Sequence, residues 1–114
     1  MSGRRPFAPA LAFALATAWS MAGAQEAAAD PAEAGRKLYV SSCTRCHGIN
    51  LVTNGIGFDL RTFPQGEKER FVRSVTNGKG AMPAWGGTLK LEQIDLVWAY
   101  IGSVNGWKAA SAPQ

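Results

Sequence analysis

The sequence predicts an all-α protein, and three observations lead to this class. Apolar residues recur at helical spacing near the carboxyl end, and Asp30-Pro31 is typical of a helix start. No segment alternates apolar with polar residues as a half-buried strand does. We therefore expect three to four helices and no sheet.

The first helix is expected to begin at Asp30 and to end near Ser42. Asp30 can cap the helix, Pro31 suits the first helical position, and Glu33 can complete a capping box. Its inward face is expected to carry Ala34 and Leu38, with Gly35 and Tyr39 as further candidates.

A second helix is expected over residues 67–76. Phe71, Val72 and Val75 share one face of this segment, and the Asn-Gly pair that follows it is a helix stop signal. This helix therefore presents one apolar face and one polar face.

The last helix is expected to end at Gly102, where its apolar stripe stops. Lys90 occupies the position at which Ser or Asp would normally cap the helix, and Thr88 is a candidate substitute. Residues 106–114 are expected to form a frayed tail. The stripe itself consists of Leu91, Ile94, Val97, Trp98 and Ile101.

The most informative stretch of the chain is Cys43-Thr44-Arg45-Cys46-His47. Two thiols three residues apart, followed at once by an imidazole, form the attachment motif of a c-type haem. In a helical turn Cys43 neighbours both Cys46 and His47, so the two sulfurs and the imidazole can meet one flat ligand. The sulfurs can form thioethers with the haem vinyl groups, and His47 can bind the iron. The motif predicts one covalently attached haem c.

Other interpretations of this motif fit the rest of the chain less well. A redox-active dithiol normally lies between a strand and a helix, in an α/β pattern that this sequence lacks. A structural zinc site needs four ligands, whereas the chain offers Cys43, Cys46 and His47. A disulfide between the two cysteines would close a loop too small to stabilise much.

The amino-terminal segment predicts export from the cytoplasm. Two arginines precede an apolar run over residues 7–18, and a small-residue cleavage site, Ala-Gly-Ala, ends at Ala24. Residues 1–24 are therefore expected to be a signal peptide that directs residues 25–114 to the bacterial periplasm. The run is short for a membrane span, so we expect no membrane insertion after cleavage, with an uncleaved anchor as the alternative.

The charge of the mature domain is small. The whole chain has a formal net charge of +4, but two of its arginines belong to the expected signal. The remaining residues carry ten Lys and Arg against eight Asp and Glu, a net of +2, which two haem propionates bring near zero. No stripe of basic residues with interleaved aromatics indicates nucleic-acid binding. We expect one small domain that acts as a monomer.

These features resemble those of the small class I c-type cytochromes over nearly all of the mature domain. The resemblance rests on Gly35 and Tyr39 in the first helix, the CTRCH motif, the Gly-Ala-Met-Pro-Ala-Trp segment at residues 80–85, and Trp98 and Tyr100 in the last helix. It implies a cytochrome c fold wrapped around one haem. It further implies a close crossing of the first and last helices, with Gly35 against Trp98; the alternative is that Gly35 merely weakens an exposed turn.

Met82 is expected to be the second axial ligand of the iron. His47 is the only histidine, and the other two methionines leave with the signal. Met82 also stands between Gly80 and Pro83, on a stiff segment that can aim its sulfur. A lone methionine is ordinarily core packing, which is the alternative. His/Met ligation raises the reduction potential and fills both axial positions, which argues against an enzyme.

Three further side chains have expected roles around the haem. The free ring N–H of His47 should donate to a backbone carbonyl within residues 53–57. Arg61 can pair with a haem propionate, or it can form a solvated pair with Asp59. Trp85 can cover the haem edge or donate its indole N–H to a propionate, with packing alone as the alternative.

A second resemblance, to the small periplasmic cytochromes that accept electrons from quinoprotein alcohol dehydrogenases, narrows the function. It implies a one-electron carrier reduced by a pyrroloquinoline quinone enzyme and oxidised by a membrane oxidase or another cytochrome. Two alternatives stay open: a haem enzyme or ligand sensor in which Met82 dissociates, and a cytochrome subunit of a larger oxidoreductase. The resemblance rests on residues 57–61, 63–64, 70–71, 74–75 and 82–85.

Overall fold

The computed structural model describes residues 2–11 and 30–108. Residues 2–11 form no regular secondary structure, and the expected cleavage site lies outside the described residues. No described helix is long and apolar enough to cross a membrane. The described residues form four helices, numbered in chain order: α1 (Pro31–Ser42), α2 (Thr44–His47), α3 (Lys68–Asn77) and α4 (Leu91–Asn105).

The expected all-α class is confirmed. Two 3₁₀ turns, Ile49–Leu51 and Leu60–Thr62, lie between α2 and α3. Within the described ranges the only β-type pairing is an isolated bridge between Lys79 and Met82. The described fold therefore consists of helices joined by loops and short 3₁₀ turns.

Helix α1 has the predicted bounds, but one detail of its start is wrong. The Asp30 carboxylate accepts a hydrogen bond from the Ala32 N–H at 3.0 Å, and Pro31 occupies the first position. Glu33 does not complete a capping box, because both of its oxygens accept from the Arg36 guanidinium at 2.7 and 2.8 Å. Both side chains are about half exposed, so this pair adds little stability.

Helices α1 and α4 cross closely at Gly35. A Cβ on Gly35 would lie 1.8 Å from the Leu96 carbonyl oxygen and 3.1 Å from the Tyr100 Cβ. The expected contact with Trp98 is therefore wrong. Residues 96 and 100 share a helix face, whereas Trp98 lies about half a turn away. The Tyr39 and Tyr100 rings pack beside the crossing, with centroids 5.1 Å apart.

Helix α4 ends one turn later than predicted. It continues through Gly102 to Asn105, and Gly106 ends it in the left-handed conformation, with φ of 68°. Trp107 then folds back, so that a Cβ on Gly102 would lie 2.9 Å from its ring, and it packs on Trp98 with centroids 4.5 Å apart. The start of the expected frayed tail is thus packed, and the remainder lies outside the described residues.

The start of α4 also differs from the prediction. The Lys90 N–H donates to the Gln93 side-chain oxygen at 2.9 Å, so Gln93 rather than Thr88 supplies the cap. Leu91, expected on the buried stripe, is 57% exposed. The buried stripe of α4 therefore begins at Ile94.

Helix α3 is displaced by one residue from the predicted range: it ends at Asn77, and Gly78, the glycine of the predicted stop signal, is its C-cap. Phe71 is its buried residue, and Val72 and Val75 pack partly buried beside it. One continuous core joins α1, α3, α4 and the connecting turns. Its buried members are Tyr39, Leu51, Leu60, Phe63, Phe71, Leu89, Ile94, Val97, Tyr100 and Ile101.

Candidate haem site

The CTRCH motif consists of Cys43, which links α1 to α2, and the four residues of the short helix α2 itself. Cys43 ends α1 and precedes α2, and its carbonyl oxygen accepts from the N–H groups of Cys46 at 3.2 Å and His47 at 2.9 Å. The two cysteines are partly buried and are not bonded to each other. This turn brings the three side chains of the motif to neighbouring helical positions, as the spacing predicts.

The environment of Cys43 does not favour a redox-active dithiol. Burial, assisted by the neighbouring Cys46, raises the pKa of the Cys43 thiol to about 11. A reactive dithiol instead requires a lowered pKa, so that a thiolate is present at neutral pH. The raised pKa of Cys43 therefore argues against disulfide exchange at this pair.

One ring nitrogen of His47 is held by the backbone. The Nδ1 atom lies 2.9 Å from the Phe58 carbonyl oxygen, so Nδ1–H donates to it and Nε2 stays available for iron. The expectation of a carbonyl partner was correct, but its place within residues 53–57 was wrong by one residue. The chain turns at Gly57 and only then presents a carbonyl to the ring.

The loop that follows the motif forms a close-fitting cradle for His47. The Gly57 N–H donates to the Cys46 carbonyl at 2.8 Å, and a Cβ on Gly57 would lie 2.7 Å from His47 Nδ1. The Thr53 hydroxyl donates to the Gly57 carbonyl at 2.8 Å, which fixes the loop internally. Asn54 ties the loop to the motif, through a 2.8 Å bond from its amide to the carbonyl of residue 45.

Two tyrosine hydroxyls support the strained turn after His47. The buried Tyr39 hydroxyl donates to the Gly48 carbonyl at 2.7 Å, and the Tyr100 hydroxyl reaches the Asn50 side chain at 3.4 Å. Asn50 and the fully buried Leu51 have φ of 52° and 62°, a conformation that costs about 1–3 kcal/mol per residue. Burial raises the pKa of both tyrosines, so both hydroxyls stay protonated donors.

Met82 lies on a tight segment that is anchored to the end of α3. Its backbone exchanges two hydrogen bonds with Lys79, of 3.0 and 3.1 Å. A Cβ on Gly78 would lie 2.7 Å from the Met82 carbonyl oxygen, which explains a glycine there. Beyond it, the Trp85 N–H donates to the Val75 carbonyl at 2.8 Å. The Met82 backbone therefore has a fixed place, while its side chain is partly exposed.

The structure places Arg61 and Trp85 in different settings. Arg61 donates twice to Asp59, at 2.9 and 3.0 Å, and these bonds lower the pKa of the Asp59 carboxyl. This is the solvated pair that the sequence offered as one of two possibilities. Trp85 is half-buried against the core. A role for either residue toward the haem stays a prediction.

The residues present fit a haem c. The motif supplies two free thiols and an imidazole whose tautomer is fixed by the Phe58 carbonyl. Sequence reasoning missed three supports of His47, namely that carbonyl, the close approach of Gly57 and the Tyr39 hydroxyl. Only Tyr39 carried a signal, because a buried tyrosine needs a hydrogen-bond partner for its hydroxyl.

Comparison with known proteins agrees with this site. Residues 30–101 match the family model described as "Cytochrome C oxidase, cbb3-type, subunit III". The chain is 40% identical over 81 residues to cytochrome c6 of Aphanizomenon flos-aquae, covering 65% of this chain and 93% of that protein.

Two longer proteins are also similar over a single region. Quinohemoprotein alcohol dehydrogenase ADH-IIG of Pseudomonas putida is 34% identical over 71 residues, which cover 60% of this chain and 10% of the enzyme. The cbb3-type cytochrome c oxidase subunit FixP of Azorhizobium caulinodans is 30% identical over 98 residues, which cover 76% of this chain and 32% of that subunit. With the family match, the helical fold and the CTRCH motif together, the chain belongs to the class I c-type cytochromes and is an electron carrier that binds haem c.

Proposed function

We propose that this chain is a periplasmic one-electron carrier that accepts electrons from a quinoprotein alcohol dehydrogenase and passes them to an oxidase or another cytochrome. Bound haem c supplies the Fe(III)/Fe(II) couple. The observation that carries the proposal is the arrangement of His47, which gives one ring nitrogen to the Phe58 carbonyl and keeps the other for iron. The orientation of the His47 ring is therefore set by the protein itself and needs no redox partner.

Four residues of this chain would hold the haem c. Cys43 and Cys46 would form the thioethers, and His47 and Met82 would bind the iron. The anchored backbone of Met82 supports this choice, because it limits where the sulfur can reach. Two retained ligands leave no open position for a substrate, so the protein's task is to hold the cofactor and expose its edge. Trp85, half-buried beside the core, is proposed to cover part of that edge.

The proposed donor rests on two separate similarities. The segments around residues 57–61 and 82–85 resemble cytochromes that serve quinoprotein alcohol dehydrogenases, and the chain is also similar to part of ADH-IIG. In that enzyme the similar region is joined to the rest of the polypeptide. A separate cytochrome of the same kind can accept the electrons through a small, short-lived interface.

Export of the protein completes the proposal. Residues 1–24 act as the signal peptide and residues 25–114 form the cytochrome domain in the periplasm, where quinoprotein dehydrogenases can reach it. Intact-mass analysis of the purified protein should give a chain that starts near residue 25 and carries one haem. A mass that includes residues 1–24, or two free thiols, would contradict this.

Stopped-flow absorbance tests the donor directly. The ferric protein should be reduced rapidly by a quinoprotein alcohol dehydrogenase together with its alcohol. Because the mature domain has almost balanced charge, rising salt should slow the reaction only moderately. Omission of the alcohol is the control. A protein that exchanges electrons with other cytochromes but not with the dehydrogenase would retain the carrier role and lose this donor.

A second candidate function is that of a cytochrome subunit in a larger oxidoreductase. The family description and the similarity to FixP favour it. Size-exclusion chromatography of a gently prepared periplasmic extract separates the two functions. The carrier should elute at the size of the isolated chain, whereas a subunit should elute with an oxidase or dehydrogenase.

A further inference from the structure

We infer that Asn105, the last residue of α4, is a positioning residue for His47, because it holds the turn next to the Phe58 carbonyl. The side-chain amide of Asn105 donates to the Leu60 carbonyl at 3.0 Å. Leu60 lies two residues after Phe58, whose carbonyl oxygen lies 2.9 Å from His47 Nδ1. The Asn105 bond is partly buried, where a hydrogen bond is stronger than in open water. The inference rests on the proposed role of His47 as an iron ligand.

The turn that Asn105 holds is internally bonded. Residues 60–62 form a 3₁₀ turn, and the Asp59 carbonyl accepts from the Thr62 N–H at 3.1 Å and from its hydroxyl at 2.9 Å. The Leu60 carbonyl accepts from the Phe63 N–H at 3.3 Å as well as from Asn105. Because these bonds span residues 59–63, a constraint on the Leu60 carbonyl also restrains the peptide group immediately before the turn.

Ring packing holds the same turn against α4 from a second side. Phe63 meets Phe58 edge to face with centroids 6.2 Å apart, and it meets Trp98 of α4 at 5.7 Å. Trp107 packs on Trp98 at 4.5 Å, and the Gln65 side-chain amide donates to the carbonyl of residue 108 at 2.8 Å. The end of α4 and the residues after it therefore restrain this turn at several points.

The last turn of α4, residues 103–105, brings Asn105 to this place. The Ser103 hydroxyl donates to the Tyr100 carbonyl at 2.7 Å, so its bond stays within the helix. Val104 has no polar side-chain atom and is 40% exposed. Among these three residues, Asn105 is the one whose side chain forms a hydrogen bond outside α4. Ser103 is therefore a matched control for Asn105.

The test measures hydrogen exchange at the His47 ring in the reduced holoprotein. His47 is the only histidine of the chain, so labelling with ¹⁵N-histidine gives one Nδ1–H signal in the NMR spectrum. The wild-type protein is compared with Asn105→Ala and Asn105→Leu, which both remove the amide donor. Ser103→Ala removes a bond from the same helical turn. Ile94→Val weakens the core of α4 about 16 Å away along the helix axis.

Both Asn105 variants should accelerate exchange of the His47 Nδ1–H about fivefold, because loss of one hydrogen bond lets the turn open more often. Both controls should keep the wild-type exchange rate, since neither removes a bond to the turn. The reduction potential of the Asn105 variants should also rise. A less firmly bound Nδ1–H makes the imidazole a less basic ligand, which stabilises ferric iron less.

Wild-type exchange in both Asn105 variants would show that the loop around Gly57 orients the ring by itself and would overturn the inference. Equal acceleration in Asn105→Ala and Ile94→Val would also overturn it, because Asn105 would then contribute only to global stability. The ligand proposal has a separate readout, since a histidine bound to ferric iron has strongly shifted ring resonances. Absence of that shift would refute His47 as a ligand, and the exchange rates would still decide the role of Asn105.

Discussion

The segments that carry the two expected iron ligands are built differently. The His47 segment, residues 43–58, is held by side chains from inside and outside it, including the Tyr39 hydroxyl, the Asn54 amide and the Phe58 carbonyl bound to the ring itself. The Met82 segment, residues 78–86, is held by backbone bonds to Lys79 and to the end of α3. Hydrogen bonds therefore hold the His47 side chain itself, whereas in the second segment they hold only the backbone of Met82.

This difference indicates how the two ligands should behave. The His47 ring keeps its tautomer and place through its hydrogen bond to the Phe58 carbonyl, which exists without the iron. A thioether is a weak iron ligand, so the proposed ligation by Met82 would depend on how firmly the backbone of its segment is held. We therefore expect the Met82 side to respond first to mutation, pH or denaturant.

The largest effect is expected from Met82→Ala. The variant loses the only thioether of residues 25–114, so the far-red band of the ferric protein should vanish and the ferrous protein should bind carbon monoxide. The reduction potential should fall by an amount on the order of tenths of a volt, within the ~0.8 V that axial ligands span. Optical spectroscopy and potentiometry check this. An unchanged spectrum and potential would mean that another residue ligates the iron.

A smaller effect is expected on the His47 side, from Gly57→Ala. The added Cβ would lie 2.7 Å from both His47 Nδ1 and the Cys46 carbonyl oxygen, so the cradle must open. Stability should fall by about 1–3 kcal/mol in guanidinium unfolding, as overpacking of a fixed site predicts. Gly87→Ala is the matched control, because no atom lies within 4 Å of its Cβ position. Equal losses in the two variants would refute a close-fitting cradle.

The smallest effect is expected from Tyr39→Phe, which removes one hydroxyl. The Gly48 carbonyl loses its buried donor, and stability should fall by about 0.5–1.5 kcal/mol at neutral pH, the net contribution of one hydrogen bond. Burial raises the pKa of Tyr39 above its ordinary value of 10.0, so the protonated hydroxyl stabilises the fold fully below pH 10. Above pH 10 the unfolded chain ionises and this contribution is lost.

The stability difference between the wild-type and Tyr39→Phe proteins should therefore shrink as the pH rises above 10. Unfolding curves at neutral and alkaline pH measure it. If the difference stayed constant across this range, ionisation of Tyr39 would have no effect on stability. The buried hydroxyl would then not stabilise the fold in the way proposed.

The comparison also shows which features could be predicted from the sequence. The cap of α1 by Asp30, the stop signal after α3 and the helical turn of the CTRCH motif depend on residues close together in the chain, and the structure has all three. The end of α4 was wrong because Gly102 is a contact site for Trp107, and a glycine that accommodates a ring looks like one that ends a helix. Only the packing of the folded protein distinguishes a glycine that accommodates a ring from a glycine that ends a helix.

The supports of His47 were harder to predict for a related reason. Every residue carries a backbone carbonyl, so nothing in the sequence distinguishes Phe58 from its neighbours as the partner of Nδ1. The predicted contact between Gly35 and Trp98 was wrong for a similar reason, because the sequence alone does not distinguish the candidate partners. Tyr100 and Trp98 are both aromatic residues of α4, and the rotation of that helix against α1 decides which one meets the glycine.

Carbon monoxide tests the central claim, an electron carrier with both axial positions filled by His47 and Met82, most directly. The optical spectrum of the wild-type protein is recorded in the ferric state, and then in the ferrous state with and without the gas. We expect a far-red band in the ferric protein and a ferrous spectrum that carbon monoxide leaves unchanged. Absence of that band, together with a new carbon monoxide spectrum in the wild-type protein, would show an open iron position and contradict the carrier assignment.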